Sequence, residues 1–482
     1  MVLSASKAMS WFSLSDLGLN RPQTKQQHPL PTSHLARVLC FEIAKTMSRL
    51  ISLYKSLSHN EMDNLKNHII KAEGVAYLNS KDESYLMSLA LAEKLEELDA
   101  AADVISRLGR KCCDFGLMRF DLVYADLKLG SIDVGKLDYG SRQVEKVVQK
   151  LERYVSTTSM LYTATDSLTE LETSDKKLIR WKRNNVIGSK PFDKTNFDLF
   201  DQKIAFQRKQ VQHFRDVSLW SQTLDKSVAP MAQITCIIYA RMCKVFAPYV
   251  SHHLLPAFFF SQKPSASSRI SKSGPILKTS KKSVIQKFHS GELNTAKPEE
   301  LIVSEIDSNI SLQTPNKNRV FQGAPPTTVG GAGLALRYAN LIQSAENCLE
   351  DPASVSSHAR EELYQMLPEK LRSMVGSKMR KCWQRHQGET AEEEEEDLML
   401  AQGWREGLRG ILDWIAPMAQ DTIEWQMQRN WEKKQGFEAK RRVLLIQTLH
   451  YADMEKTEAA IVELLVGLSC VYKYENRHYS PH

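Results

Sequence analysis

Two glycine-containing stretches have the spacing of phosphate-binding loops, and each lacks a residue that the chemistry requires. Residues 130–137 read GSIDVGKL. They satisfy G-x-x-x-x-G-K, in which loop amides cradle nucleotide phosphates and the lysine, here Lys136, reaches the outer ones. The next position should offer a hydroxyl to magnesium, but it is Leu137. No aspartate-terminated apolar strand follows to supply a second magnesium site. A turn between helices is the better reading, and nucleotide binding through Lys136 is a weaker alternative that Lys136→Ala would test.

The second stretch, TTVGGAGLALRYANLI, spans Thr327 to Ile342. A dinucleotide fingerprint needs G-x-G-x-x-G between a strand and a helix, so that amides at the helix start face a pyrophosphate. Gly331 and Gly333 fit the first two places, but Leu336 occupies the third, and Gly323-Ala324-Pro325-Pro326 upstream cannot be a central strand. The segment reads instead as the entry to an amphipathic helix. Gly331 and Gly333 let that helix start close to a neighbour. Leu334, Tyr338 and Leu341, with Ile342, form its packing stripe, while Arg337 and Asn340 sit beside the stripe as polar contacts.

Other chemistry is poorly provided for. Cys112-Cys113 has no second cysteine pair, Cys236 and Cys243 are seven apart on one apolar helical stretch, and His252-His253 has no H-E-x-x-H frame. There is no G-x-S-x-G elbow. No catalytic residue, metal ligand or cofactor site is expected.

Composition sets the frame. The 482 residues are enough for two or three domains, and 42% apolar with 25% charged is ordinary for a soluble protein. A net charge of +7 is a mild excess, less than the basic footprint of a dedicated nucleic-acid binder. The eight cysteines, including Cys40, Cys348, Cys382 and Cys470, have no disulfide-like spacing and fit a reducing, intracellular compartment. The best membrane-span candidate, Met231 to Val250, is interrupted by Arg241 and Lys244. The first residues are too polar for a signal peptide, and Val2 stands where myristoylation needs glycine.

Apolar periodicity predicts an all-α protein of two multi-helix regions joined by a long disordered basic linker. Residues 1–32 form a loose tail, 33–130 an N-terminal helical domain, and 131–255 a long-helix region packing on it. Residues 256–326 are the Ser/Lys-rich linker, and 327–482 a C-terminal helical domain. Ser58-His59-Asn60-Glu61 and Ser80-Lys81-Asp82-Glu83 read as capping boxes, and Gly109 as a helix end. One long helical pattern runs from about Val144 to Leu171, and another from about Asn196 to Phe246 with a bend expected at Pro230. Beyond the linker, helices are expected to start near 331, 358, 369, 398 and 437, and the final one to include LLIQTLHYADMEK.

The expected partners are proteins. Lys/Arg exceed Glu by eight to three over 261–300, so this linker can touch anionic lipid at about 1 kcal/mol per well-placed cation. Phosphorylated serines would cancel that attraction. KKLIRWKRNN (176–185) and KKQGFEAKRR (433–442) read as solvated faces, and the acidic run at 392–397 as a solvated loop. The alternative is a nuclear or membrane-peripheral regulator in which these patches contact nucleic acid or lipid, although nucleic acid is not the expected partner.

FEIAKTMSRLISLYKSLSHNEMDNLKNHIIKAEGVAYLNSKDESYLMSLALAEKLEEL (Phe41 to Leu98) resembles the domain of unknown function 3475. VGGAGLALRYANLIQSAENCLEDPASVSSHAREELYQMLPEKLRSMV (Val329 to Val375), continuing through LDWIAPMAQDTIEW, resembles the domain of unknown function 668. With RDVSLWSQTLDKSV and TLHYADMEKTEAAIVELLVGLS, they resemble the plant phytosulfokine-simulator family of growth regulators. The resemblance implies an intracellular, non-enzymatic plant protein that promotes growth in connection with peptide-hormone signalling. It supplies no catalytic residues. Nucleus, cytoplasm and peripheral plasma membrane are all compatible addresses.

Overall fold

The computed structural model describes residues 34–133, 137, 141–184, 194–250, 319–350, 363–383, 392–433 and 442–476. The expected tail, residues 251–318, which include most of the expected linker (256–326), and the expected helix starts near 358 and 437 lie outside them. The protein is all-α. Among the described residues the one β-type pairing is an isolated antiparallel bridge between Thr328 and Asp453.

Helix α1 (His34–Lys55) buries Ile43, Met47 and Leu50, which recur at helical spacing. Ser58 then starts α2 (His59–Asn64), its hydroxyl accepting from the Glu61 amide. Two π-helical turns follow, Leu65–Ile69 and Val75–Asn79. Helix α3 (Glu83–Gly109) is capped by Asp82, whose carboxylate takes the Ser84 and Tyr85 amides. The box expected at Ser80 is thus displaced by two residues. Ser80 instead receives the Asp82 amide, and the Asp82 carboxylate does the capping. Gly109 is the last residue of α3, but it marks a close approach, because a Cβ there would collide with the Leu117 carbonyl.

After α4 (Phe120–Lys128) come α5 (Ser141–Asn184) and α6 (Lys194–Val217), which pair along Leu161, Ala164 and Val211. At 1.5 Å per residue α5 is about 66 Å long. The expected single helix from 196 to 246 is broken at Ser218–Thr223 and not at Pro230. Ser218 is extended, its hydroxyl takes the Trp220 amide, and Ser221 bonds back to the Asp216 carbonyl. Serine side chains here compete with the helical ladder and win. Pro230 lies inside α7 (Leu224–Phe246), and Lys226, whose carbonyl loses that donor, is exposed. Almost every residue of α7 from Ser227 to Tyr239 is buried, so its all-round apolarity belongs to a core helix. No helix among the described residues is long and apolar enough to cross a membrane.

The chain returns at a single turn, Arg319–Gln322, and continues through α8 (Ala335–Glu350), α9 (Glu369–Trp383), α10 (Glu392–Lys433) and α11 (Met454–Asn476). Helix α10 packs mainly on α8 and α11. The expected final helix starts only at Met454. Before it, Leu445–Gln447 and Leu449–Tyr451 are 3-10 turns. Their amides are captured by side chains: Leu444 by Gln447, Leu445 by Glu93, Leu449 by Thr422 and His450 by Thr448. A continuous apolar core runs from Leu39 in α1 to Tyr474 in α11, so both helical regions belong to one compact unit.

Candidate functional site

The glycine segment is bound to residues 450–454, which in turn reach the N-terminal region, and together they form a clasp. The Val329 amide donates to the Ala452 carbonyl and the Gly330 amide to the His450 carbonyl, both at 2.9 Å. Met454 donates to Thr327, and Asp453 donates to Leu78 in the N-terminal region at 2.8 Å. Every amide from Thr328 to Leu334 has a protein acceptor, including the Thr328 hydroxyl for Gly331. A phosphate loop needs those amides to face a ligand, and here they are all committed. Substituting Gly331 would drive a Cβ into the Pro325 carbonyl, and Gly333 has φ +73°, the left-handed region that suits glycine.

On α8, Tyr338 is fully buried and Leu341 is buried, and Leu334 just before the helix is half-buried against the core. The Tyr338 hydroxyl donates to Glu458 Oε1 at 3.0 Å, and Lys370 Nζ holds Oε2 at 2.8 Å. This network ties α8, α9 and α11 together, and burial beside Glu458 pushes the Tyr338 phenol well up. Arg337 is exposed and its guanidinium donates to the carbonyls of Met366 and Gln365, so it braces the Gln365–Leu367 turn. Asn340 is exposed.

Gly130 ends α4 with φ +75°, its amide donating to Leu127 and that of Ser131 to Asp126. That is a helix-terminating pair of bonds, whereas a nucleotide loop follows a strand. Lys136 lies outside the described residues, as do His252 and His253. Burial pushes the Cys236 and Cys243 thiols up to about 12, which keeps them protonated and unreactive near neutrality. Of the 433–442 patch, Arg442 is committed to an ion pair with Glu97.

A cleft of about 710 Å³ opens at the seam between the regions. Its charged wall is the stretch Glu93-Lys94-Leu95-Glu96-Glu97 of α3. Glu93 accepts from the Leu445 amide at 2.9 Å, Glu96 from the Val320 amide at 3.0 Å, and Glu97 pairs with Arg442. These carboxylates hold the 442–447 and 319–322 segments against α3. Desolvation raises the Glu93 pKa to about 7. Lys94 is only 6% exposed, its Nζ donates to Ser56 Oγ at 2.8 Å, and desolvation lowers its pKa. Phe321 and Trp425 line the same cleft, and Phe321 stacks on both Trp425 (5.2 Å) and His450 (4.2 Å), with Arg429 over the Phe321 and Trp425 rings. Sequence reasoning did not single out the α3 charges and missed this wall. The available signal was the spacing Leu91–Lys94–Leu98–Ala101, which puts a lysine directly in the buried stripe.

Two family models match, "Domain of unknown function (DUF3475)" over residues 38–94 and "Protein of unknown function (DUF668)" over 328–424. The chain is 24% identical to Protein PSK SIMULATOR 1 of Arabidopsis thaliana over 442 residues, covering 89% of this chain and 55% of that protein. To PSK SIMULATOR 3 it is 24% identical over 451 residues (89% and 55%), and to PSK SIMULATOR 2 23% over 449 (90% and 59%). The chain thus spans little more than half the length of these relatives. No solved structure matches. Residues 450–453 link the two matched segments: Asp453 donates to Leu78 in the first, while Ala452 and His450 accept from Val329 and Gly330 in the second. With both domains in that order and likeness along most of its length, this chain is a homologue of the PSK SIMULATOR proteins.

Proposed function

We propose that the protein is a non-enzymatic regulator that promotes plant growth, acting through protein contacts in phytosulfokine-type peptide-hormone signalling. The observation that carries this reading is likeness to the PSK SIMULATOR proteins over about nine-tenths of the chain. The clasp and seam make the two domains one body, so a partner meets a composite surface and not two independent modules. In this reading the far part of the α5–α6 hairpin faces the partner. Ile179, Trp181, Leu199 and Phe206 are 47–62% exposed there, an unusual number of large apolar side chains to leave in water on one hairpin. The protein works in the cytoplasm, in the nucleus or at the inner membrane face, with residues 261–300 as a weak anionic-lipid contact.

Growth measurement tests the reading. In plants lacking the PSK SIMULATOR proteins, expression of this chain should restore growth, and the variant Trp181→Asp/Phe206→Asp should not. Stable accumulation of the chain with no gain in growth would overturn it.

A further inference from the structure

We propose that the tip of the α5–α6 hairpin is a docking surface for an anionic lipid membrane. This goes beyond the proposed regulatory function, because it adds a lipid contact carried by the folded part of the chain. Pure vesicles test it with no protein partner and no growth response.

The hairpin carries this surface away from the core. Tyr162 is the last residue of α5 packed against the main core, and Leu161, Ala164 and Val211 hold α5 to α6 in a small cluster of their own. Gln207 donates to the Ala164 carbonyl at 3.0 Å, and Arg208 pairs with Glu172 at 2.9 Å. Trp181 stands about 28 Å further along α5 than Tyr162. Helix α6 starts from that same end, at Lys194.

Positive charge is concentrated there. From Glu172 to Arg208 the chain holds nine Lys/Arg against five Asp/Glu, a net +4 out of the +7 of the whole sequence. Lys176, Lys177 and Arg180 are exposed and lie within about a third of the helix circumference, so they form one cationic face. None of the three has a carboxylate partner among the described residues. Ile179 and Trp181 flank this face on its two sides, each about half exposed, and Leu199 near the start of α6 is more exposed still.

Cations beside aliphatic and indole side chains match the surface of an anionic bilayer. Lysine and arginine stems lie along the apolar boundary while their charged ends reach lipid phosphates. An indole settles at the headgroup level, and Ile179 and Leu199 enter the acyl boundary. A nucleic acid would offer phosphates to the cations but no apolar phase to Ile179 and Leu199. No helix among the described residues is long and apolar enough to cross a membrane, so the contact is with the surface.

The test sediments the full chain with vesicles of phosphatidylcholine alone, or with about one-third phosphatidylserine. The mixed vesicles should bind the chain, the neutral ones should not, and raising salt from about 0.1 to 0.5 M should release it. Lys176→Gln/Lys177→Gln/Arg180→Gln should weaken binding by about tenfold or more, and Lys176→Arg/Lys177→Arg/Arg180→Lys should retain it. Ile179→Ser/Leu199→Ser should weaken binding and keep its salt dependence. All these positions are exposed, so the unfolding temperature should stay nearly unchanged. The basic stretch 261–300 is intact in every variant, so unchanged binding of the glutamine variant would assign the lipid contact to that stretch and overturn the proposal. Equal binding to neutral vesicles, no binding to mixed ones, or tighter binding of a short DNA duplex through the same three cations would overturn it too.

Discussion

The Gly330 amide donates to the His450 carbonyl at 2.9 Å, and no side chain fits between them. A Cβ on Gly330 would collide with that carbonyl and with the His450 ring. The ring cannot yield easily, because its Nε2 is bonded to the Phe321 carbonyl at 2.8 Å and its face is stacked on Phe321. Gly330→Ala should therefore cost about 1–3 kcal/mol by overpacking, measured by urea unfolding. Gly333→Asn should be nearly neutral, since asparagine tolerates the left-handed region and nothing stands within contact of a Cβ there. Equal cost at the two positions would mean that the clasp is not what fixes the segment.

The buried Glu458 carboxylate is held by one phenol and one ammonium. Tyr338→Phe removes a hydrogen bond to a charged, buried acceptor and should cost about 1.5–3 kcal/mol. Lys370 is mostly exposed, so Lys370→Gln should cost less. The order of the two losses in chemical denaturation checks the network.

Glu93 should make stability fall as pH rises from acidic to neutral. Its folded pKa, about 7, lies above the ordinary value of 4.5, so between those pH values the folded state binds more protons than the unfolded chain. Stability from this group is complete below about pH 4.5 and declines as pH rises to about 7. His450 acts in the opposite sense, because burial lowers its pKa and its contribution is lost as pH falls below 6.5. Glu93→Gln isolates the first effect. Relative to the unsubstituted chain it should gain about 1–3 kcal/mol between pH 5 and pH 8, and a constant difference across that range would contradict the assignment.

Trp181→Asp/Phe206→Asp should leave the unfolding temperature nearly unchanged, because both side chains are about half exposed on the α5–α6 hairpin. Partners captured from plant tissue by the unsubstituted chain should be lost. A variant that unfolds early would show that these residues serve the fold instead.

Much of the fold was legible because helical periodicity is local. The stripe of α1, the cap at Ser58 and the packing of Tyr338 and Leu341 follow from residues within two turns of one another. The glycine segment was legible for a similar reason, since the prolines before it exclude a strand. What escaped was set at long range. The 3-10 turns around 445–451 depend on Glu93, more than 350 residues earlier, and on Thr422 taking amides that a helix would use. The break at Ser218 rests partly on Thr158 receiving the Leu219 amide. The cleft needed both halves, and no single stretch of sequence announces a wall completed by Phe321 and Trp425.

The central claim is that the two domains are one cooperative body locked at the clasp and seam. Hydrogen–deuterium exchange on the full chain carrying Gly330→Val tests it most directly. The account predicts that damage at this C-terminal position will deprotect the amides of Val75–Asn79 and the α3 segment around Glu93, together with 445–454. Loss of protection confined to residues 319–476, with the N-terminal segments unchanged, would contradict it.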